Sequence, residues 1–314
     1  MLAGAVAVGL FAVVIAVSQM RPERAAIEDV VQHSLKVHGD TRRYLVYEPK
    51  GLPSDGQVPL VIAFHGGGGS PQSMIRLSGL NEKAEAEKFV VAYPYGSGRL
   101  PNRALTFNAG NVGGYAMHND VDDVGFTEAM LEELLAQYPV DGSRVYATGI
   151  SNGGMMAYRV ACELSDRFAA VASVAGPIGF ASCDPVQPVG VLHFHGTGDR
   201  FAPYEGGYGE NATGARGVTD FFSVAETVEN WVAANQCIDE PTIEALPNAA
   251  EDGMRSNRSR WTECEAGAEV VLVTIENGGH TWPGREPTTP ILGEATFDFE
   301  ANDLIWEFFE RHSR

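Results

Sequence analysis

Gly149-Ile150-Ser151-Asn152-Gly153 is the stretch on which the reading of this chain turns. Before it, Arg144-Val145-Tyr146-Ala147-Thr148 has the β-branched and aromatic bias of a short buried strand, and after it Gly154 to Ala161 reads as a helix. The pattern G-x-S-x-G therefore falls where a strand hands over to a helix, the context of a nucleophile turn. A serine hydroxyl is a weak nucleophile at neutral pH and needs a base beside it and oriented N–H donors nearby. A sharp turn exposes the hydroxyl, and the helix N-terminus adds partial positive charge where an oxyanion would form.

Working outward, Pro59-Leu60-Val61-Ile62-Ala63-Phe64 is continuously apolar, as a central strand covered on both faces must be. It runs into His65-Gly66-Gly67-Gly68-Gly69-Ser70, where bare backbone can pass close to a ligand. The amides of Gly67 and Asn152 are the expected oxyanion donors. Val189 to Phe194 reads as a later core strand ending in His195-Gly196-Thr197-Gly198-Asp199, and Asp199 then sits at a strand's carboxyl end, where functional groups gather in open α/β sheets. Glu269 to Ile275 is the last convincing strand, followed by Asn277-Gly278-Gly279-His280-Thr281-Trp282. A histidine on that loop gives the chain order Ser151, Asp199, His280 of a hydrolase triad. His193 and His195, in an apolar strand, are expected to be hydrogen-bonded core histidines.

The remaining elements follow from periodicity. Two alternating strands, 32–37 and 43–47, flank a turn at His38-Gly39-Asp40, and helices are expected over about 71–88, 121–138, 224–236 and 299–311. Leu304, Ile305, Phe308 and Phe309 form the apolar face of the last helix. Asp122 and Asp123 are expected to cap their helix. Residues 241–264 read as an irregular polar hairpin, and 201–222 as a Gly- and Tyr-rich insertion beside the cleft. The long loop 95–119 nominates Tyr95, Phe107, Asn108 and Tyr115 for a pocket rim. Trp282, beside the base, and Tyr204, in the insertion, join Tyr95 and Asn108 as candidate substrate contacts. The fold class predicted is α/β, a mostly parallel sheet with helices on both faces and no large lid.

Composition bounds the rest. The 314 residues are 44% hydrophobic, enough for one large domain, and the expected division is an N-terminal segment, 1–20, and a catalytic domain, 27–314. A net charge of −19 argues against nucleic acid and anionic membrane as partners, while a neutral ester polymer would not be repelled. Leu2 to Val17 is nearly all apolar and Ala16-Val17-Ser18 is a small-x-small site, so the segment reads as an export signal, or as an anchor if it is not cleaved. Arg21 and Arg24 follow the apolar run and no basic residue precedes it, so a basic region is expected upstream of Met1. The protein is accordingly expected to be secreted or periplasmic, with membrane contact only through that segment. Cys162, Cys183, Cys237 and Cys264 form an even set without a C-x-x-C pair, which favours disulfides over metal. Three connectivities are open, the preferred one being the sequence-local Cys162–Cys183 and Cys237–Cys264.

Phe64 to Gly69, Val121 to Phe126, Ala147 to Met156, His195 to Asp199 and Gly278 to Gly284 together resemble the polyhydroxybutyrate depolymerase and feruloyl esterase group of secreted esterases, over roughly residues 30–312. The resemblance implies an α/β-hydrolase with no metal or organic cofactor, and Ser151, Asp199 and His280 as its triad. It also implies ester substrates: feruloyl or acetyl esters on polysaccharide, poly(3-hydroxybutyrate) or related polyesters. The expected activity is that of a serine carboxylesterase working through an acyl-enzyme. Acyl transfer to a sugar hydroxyl, and a binding protein that keeps the fold without the chemistry, are the alternatives.

Overall fold

The computed structural model describes residues 29–53, 57–210, 216–238 and 240–314. The 1–20 segment read as an export signal lies outside them. In chain order the elements are β1 (Val30–Val37), β2 (Asp40–Tyr47), β3 (Val58–Phe64), α1 (Pro71–Ser78), α2 (Leu80–Glu87), β4 (Val90–Pro94), α3 (Tyr115–His118), α4 (Asp123–Gln137), β5 (Val140–Ile150) and α5 (Asn152–Glu163). They continue with β6 (Ala170–Val174), β7 (Gly190–Gly196), β8 (Gly207–Glu210), β9 (Arg216–Phe221), α6 (Val224–Ala234), β10 (Thr242–Ala245), β11 (Arg255–Trp261), β12 (Val270–Glu276) and α7 (Ala301–Glu310).

Ten of the twelve described strands build one sheet in the order β1-β2-β4-β3-β5-β6-β7-β12-β11-β10, and β8 and β9 pair antiparallel in a second. The centre of the larger sheet, β4 to β12, is parallel throughout, and the hairpins β1–β2 and β10–β11 add antiparallel edges. The residues expected as an irregular polar hairpin thus extend the sheet. Every residue of β3 is buried, because helices cover both faces. Alternation along β3 sends Leu60, Ile62 and Phe64 into one core, with Met130 of α4, Met156 of α5 and Trp231 of α6. It sends Val61 and Ala63 into the other, with Met74 of α1, Ala84 of α2 and Trp306 of α7.

β3 pairs with β4 on one side and β5 on the other, so the strand order reverses at β3. Connections leaving the carboxyl ends of β3 and β5 depart to opposite faces, which opens a crevice between them. Residues 65–70 and Ser151 stand at that crevice.

The helix expected over 71–88 is two. Gly79, at φ 61°, caps α1 in the left-handed conformation, and a Cβ there would stand 2.0 Å from the Arg285 guanidinium. The last helix conforms to its apolar face, with Ile305, Phe308 and Phe309 buried and Phe309 stacked on Tyr146 of β5 at 4.5 Å. Two disulfides, Cys162–Cys183 and Cys237–Cys264, hold the end of α5 to the 183 loop and the end of α6 to the segment before β12.

Candidate active site

Ser151 occupies the joint between β5 and α5 with φ 56° and ψ −126°, a conformation that a side-chain-bearing residue adopts only where its surroundings enforce it. Those surroundings are visible. Ser151 N donates to Val174 O at 2.8 Å, and a Cβ on Gly153 would fall 2.3 Å from the Phe64 carbonyl. The glycines of the motif therefore let α5 start against the end of β3.

The first backbone bond of α5 runs from Met155 N to Ser151 O, so the amides of residues 152–154 precede the helical ladder and point outward from its positive end. Gly67 lies opposite: a Cβ on it would stand 3.6 Å from Asn152 Cβ, and one on Gly66 3.6 Å from Ser151 Cβ. The glycine run is held by Gly68 N to Leu105 O and by Gly69 N to Gly66 O. His65 supports it from below. Its Nδ1 donates to Gly66 O at 2.8 Å and its Nε2 accepts from Gly96 N at 3.1 Å. Burial pushes the His65 imidazole down to about 4, so the neutral ring that these two bonds require is the one present.

Asp199 and His280 come together from loops 81 residues apart in sequence, with His280 Nδ1 donating to Asp199 Oδ2 at 2.7 Å. The other carboxylate oxygen accepts from Phe201 N at 2.8 Å and Ala202 N at 3.0 Å. Burial by itself would raise the Asp199 carboxyl, but the imidazoles of His280 and His195 beside it outweigh that and hold the group well below the usual carboxylate range. The His280 loop is fixed in turn by His280 N to Leu292 O at 2.7 Å and Gly279 N to Glu294 O at 2.8 Å.

One cleft of about 280 Å³ brings Ser151, His280 and Gly66 to Gly69 to a common surface. Its other walls are Ser73, Met74 and Leu77 of α1, with Ile150, Thr288 and Leu292. Sequence reading missed these walls. Met74 and Leu77 do stand three apart on a predicted helix following the glycine run, which is the signal that could have found them.

The four residues nominated as substrate contacts are elsewhere. Trp282 is 1% exposed, packed in the core on the α7 side, with Nε1 donating to Asn302 Oδ1 at 3.1 Å, so its ring has no face left for a ligand. Tyr95 lines a different cavity of about 520 Å³, together with Tyr115, and its hydroxyl is bonded to Gln72. Asn108 is buried, donating from its side chain to Val121 O, and Tyr204 spends its hydroxyl on Thr274. Phe107 is a core residue, not a rim. Asp122 does cap α4, accepting from Gly125 N at 2.8 Å, whereas Asp123 turns inward to Arg42 at 2.5 Å and to Asn108 N at 2.7 Å.

Comparison with known proteins adds to this geometry. A model of the prolyl oligopeptidase family matches residues 113–184, which take in the Ser151 turn. The chain is 36% identical over 294 residues to "Putative esterase NocK" of Nocardia uniformis subsp. tsuyamanensis, a match covering 90% of this chain and 83% of that protein. It is 30% identical over 244 residues to Feruloyl esterase B of Piromyces equi, covering 76% of this chain and 42% of that longer protein. Among solved structures, acetyl xylan esterase from Aspergillus awamori aligns with a TM-score of 0.59 at 17% identity, over 89% of this chain and 99% of that one, a likeness of fold.

Proposed function

Because the chain belongs to the α/β-hydrolase serine esterases, the family of NocK and the feruloyl esterases, and is a serine carboxylic ester hydrolase, we propose that Ser151, His280 and Asp199 perform the reaction through an acyl-enzyme. The observation that carries this is the 2.7 Å bond from His280 Nδ1 to the buried Asp199, with His280 and Ser151 lining one cleft. With Nδ1 donating to the carboxylate, Nε2 of the neutral ring is the free base. It takes the Ser151 proton as Oγ attacks the ester carbonyl, and Asp199 stabilises the imidazolium. The amides of Gly67 and Asn152 receive the oxyanion. The imidazolium then protonates the leaving alcohol, and water activated by His280 releases the acid.

The substrates proposed are feruloyl or acetyl esters carried on polysaccharide, in keeping with what the relatives' names state. A second reading has its own support: Met74, Leu77, Ile150 and Leu292 are all aliphatic, and such walls suit the acyl unit of an aliphatic polyester such as poly(3-hydroxybutyrate). Export is supported by the two disulfides, which persist in oxidising compartments.

Ser151→Ala tests the core of the proposal. Hydrolysis of p-nitrophenyl acetate by the purified variant should fall by a factor on the order of a million. Near-wild-type turnover would remove Ser151 from the mechanism. A panel of methyl ferulate, acetylated xylan and poly(3-hydroxybutyrate) decides between the two substrate readings.

A further inference from the structure

His193 and His195 stand two apart on β7, so alternation turns both rings to one face of the sheet, toward Tyr158 of α5. All three side chains are buried. Tyr158 Oη lies 2.7 Å from His193 Nδ1, and His193 Nε2 lies 2.9 Å from His195 Nδ1. His195 Nε2 lies 2.8 Å from the Ala202 carbonyl and 3.4 Å from Asp199 Oδ2.

The protons along this line can be placed. Neither acceptor facing His195 Nε2 carries a hydrogen, so the nitrogen does. With that hydrogen as the ring's one, His195 accepts at Nδ1 and His193 donates from Nε2. Burial holds His193 well below the ordinary histidine value and therefore neutral. Its Nδ1 is left to accept from Tyr158, whose burial keeps it a phenol. Every donor in the row points toward Asp199.

We propose that His195 is a positioning residue for Asp199, fixed in its donor form by His193 and Tyr158, and that through Asp199 it governs how His280 meets Ser151. This rests on the triad reading above. Ala202 shows how the clamp works: its N–H donates to Asp199 Oδ1 while its carbonyl accepts from His195, so the turn from 199 to 202 is gripped at both ends. The Asp199 Oδ2 that His195 faces is also the oxygen that His280 uses. A histidine serving only to fill the core would need a partner, but not a one-way row ending on this carboxylate. Among the described residues, the titratable groups around the row are Tyr158, His193, His195, Tyr204, Asp199 and His280.

The test is the pH dependence of kcat/KM for p-nitrophenyl acetate in wild type, His195→Phe and His195→Gln. Phenylalanine removes the donor, so more of the carboxylate's charge falls on the imidazolium that forms in the reaction. The acidic limb should move to higher pH by about half a unit or more, and kcat should drop with KM little changed. Glutamine, whose amide can donate toward the same acceptors, should return the limb toward its wild-type position. A wild-type acidic limb in His195→Phe overturns the proposal, whatever the rate. Should that variant fail to fold, Tyr158→Phe, which deletes only a hydroxyl, carries the test: a smaller shift in the same direction supports the row, and an unmoved limb overturns it. Asp199→Asn separates the two levels. If it stays active, the triad reading has failed; if it is inactive while His195→Phe keeps the wild-type limb, this proposal alone has failed.

Discussion

Asn152 holds both polar backbone groups of Phe107, accepting from its N–H at 2.8 Å and donating to its carbonyl at 3.0 Å. The residue after the proposed nucleophile thus anchors the long loop over 95–119 to the start of α5. Asn152→Ala leaves the Phe107 N–H unpaired and the Phe107 carbonyl with Ala109 N–H as its remaining donor, and should lower unfolding free energy by about 1–3 kcal/mol, read by urea denaturation. Asn152→Asp should be at least as damaging at neutral pH, because it sets an oxygen without a hydrogen against the Phe107 carbonyl. Equal stability of all three proteins would show that the loop has other anchors.

Arg42 and Asp123 form a buried ion pair at 2.5 Å, linking β2 to the first turn of α4. Arg42 also donates to Tyr95 O and lies 4.1 Å over the Phe126 ring. Asp123→Ala strands the guanidinium and removes the acceptor of Asn108 N–H, at a cost of about 3–5 kcal/mol. The double variant Arg42→Met with Asp123→Leu should recover part of that, since it removes the stranded charge but leaves the Asn108 N–H without its acceptor. Chemical denaturation of the single and double variants checks both statements.

Acid should weaken this fold before its carboxylates titrate. His65 is pushed down to about 4 in the folded state and takes up its proton near 6.5 when unfolded, so between those values the unfolded chain binds more protons. Stability is therefore full above about pH 6.5 and falls as pH drops toward 4, by about 3 kcal/mol from this residue. His193 and His312, also lowered by burial, act in the same direction. Denaturation midpoints from pH 7 to 4.5 should fall steadily, and His65→Gln should flatten the slope. A midpoint that does not move over that range contradicts the neutral assignment.

The cleft walls and Trp282 make opposite predictions. Leu77→Ala enlarges the acyl side and should shift preference among nitrophenyl esters toward longer chains, with a several-fold change in the ratio of kcat/KM values. Trp282→Phe removes the bond to Asn302 and should cost about 1–2 kcal/mol of stability while leaving that preference where it was. A selectivity change in the tryptophan variant would return it to the site.

What was legible in the sequence was what local pattern encodes. The apolar run of β3, the glycines after it and the strand-to-helix context of Ser151 place the crevice, and strand-end position together with chain order nominates Asp199 and His280. Direction and distant contact were not legible. Trp282 is a near neighbour of His280 in sequence, but its indole is claimed by Asn302 on α7. The helix expected over 71–88 breaks at Gly79, where Arg285, 206 positions on, fills the space a Cβ would take. An apolar strand identifies His193 and His195 as core, and only the packing of α5 on β7 reveals what they are bonded to.

The backbone at Ser151 has a thermodynamic consequence. Any residue there with a Cβ sits in a sparsely populated conformation that costs on the order of 1–3 kcal/mol, and glycine alone is exempt. Ser151→Gly should thus be inert yet harder to unfold than the native enzyme. On the proposed mechanism, the substitution that relieves this strain also removes the nucleophile, so the turn that presents the hydroxyl keeps that gain in stability out of the enzyme's reach.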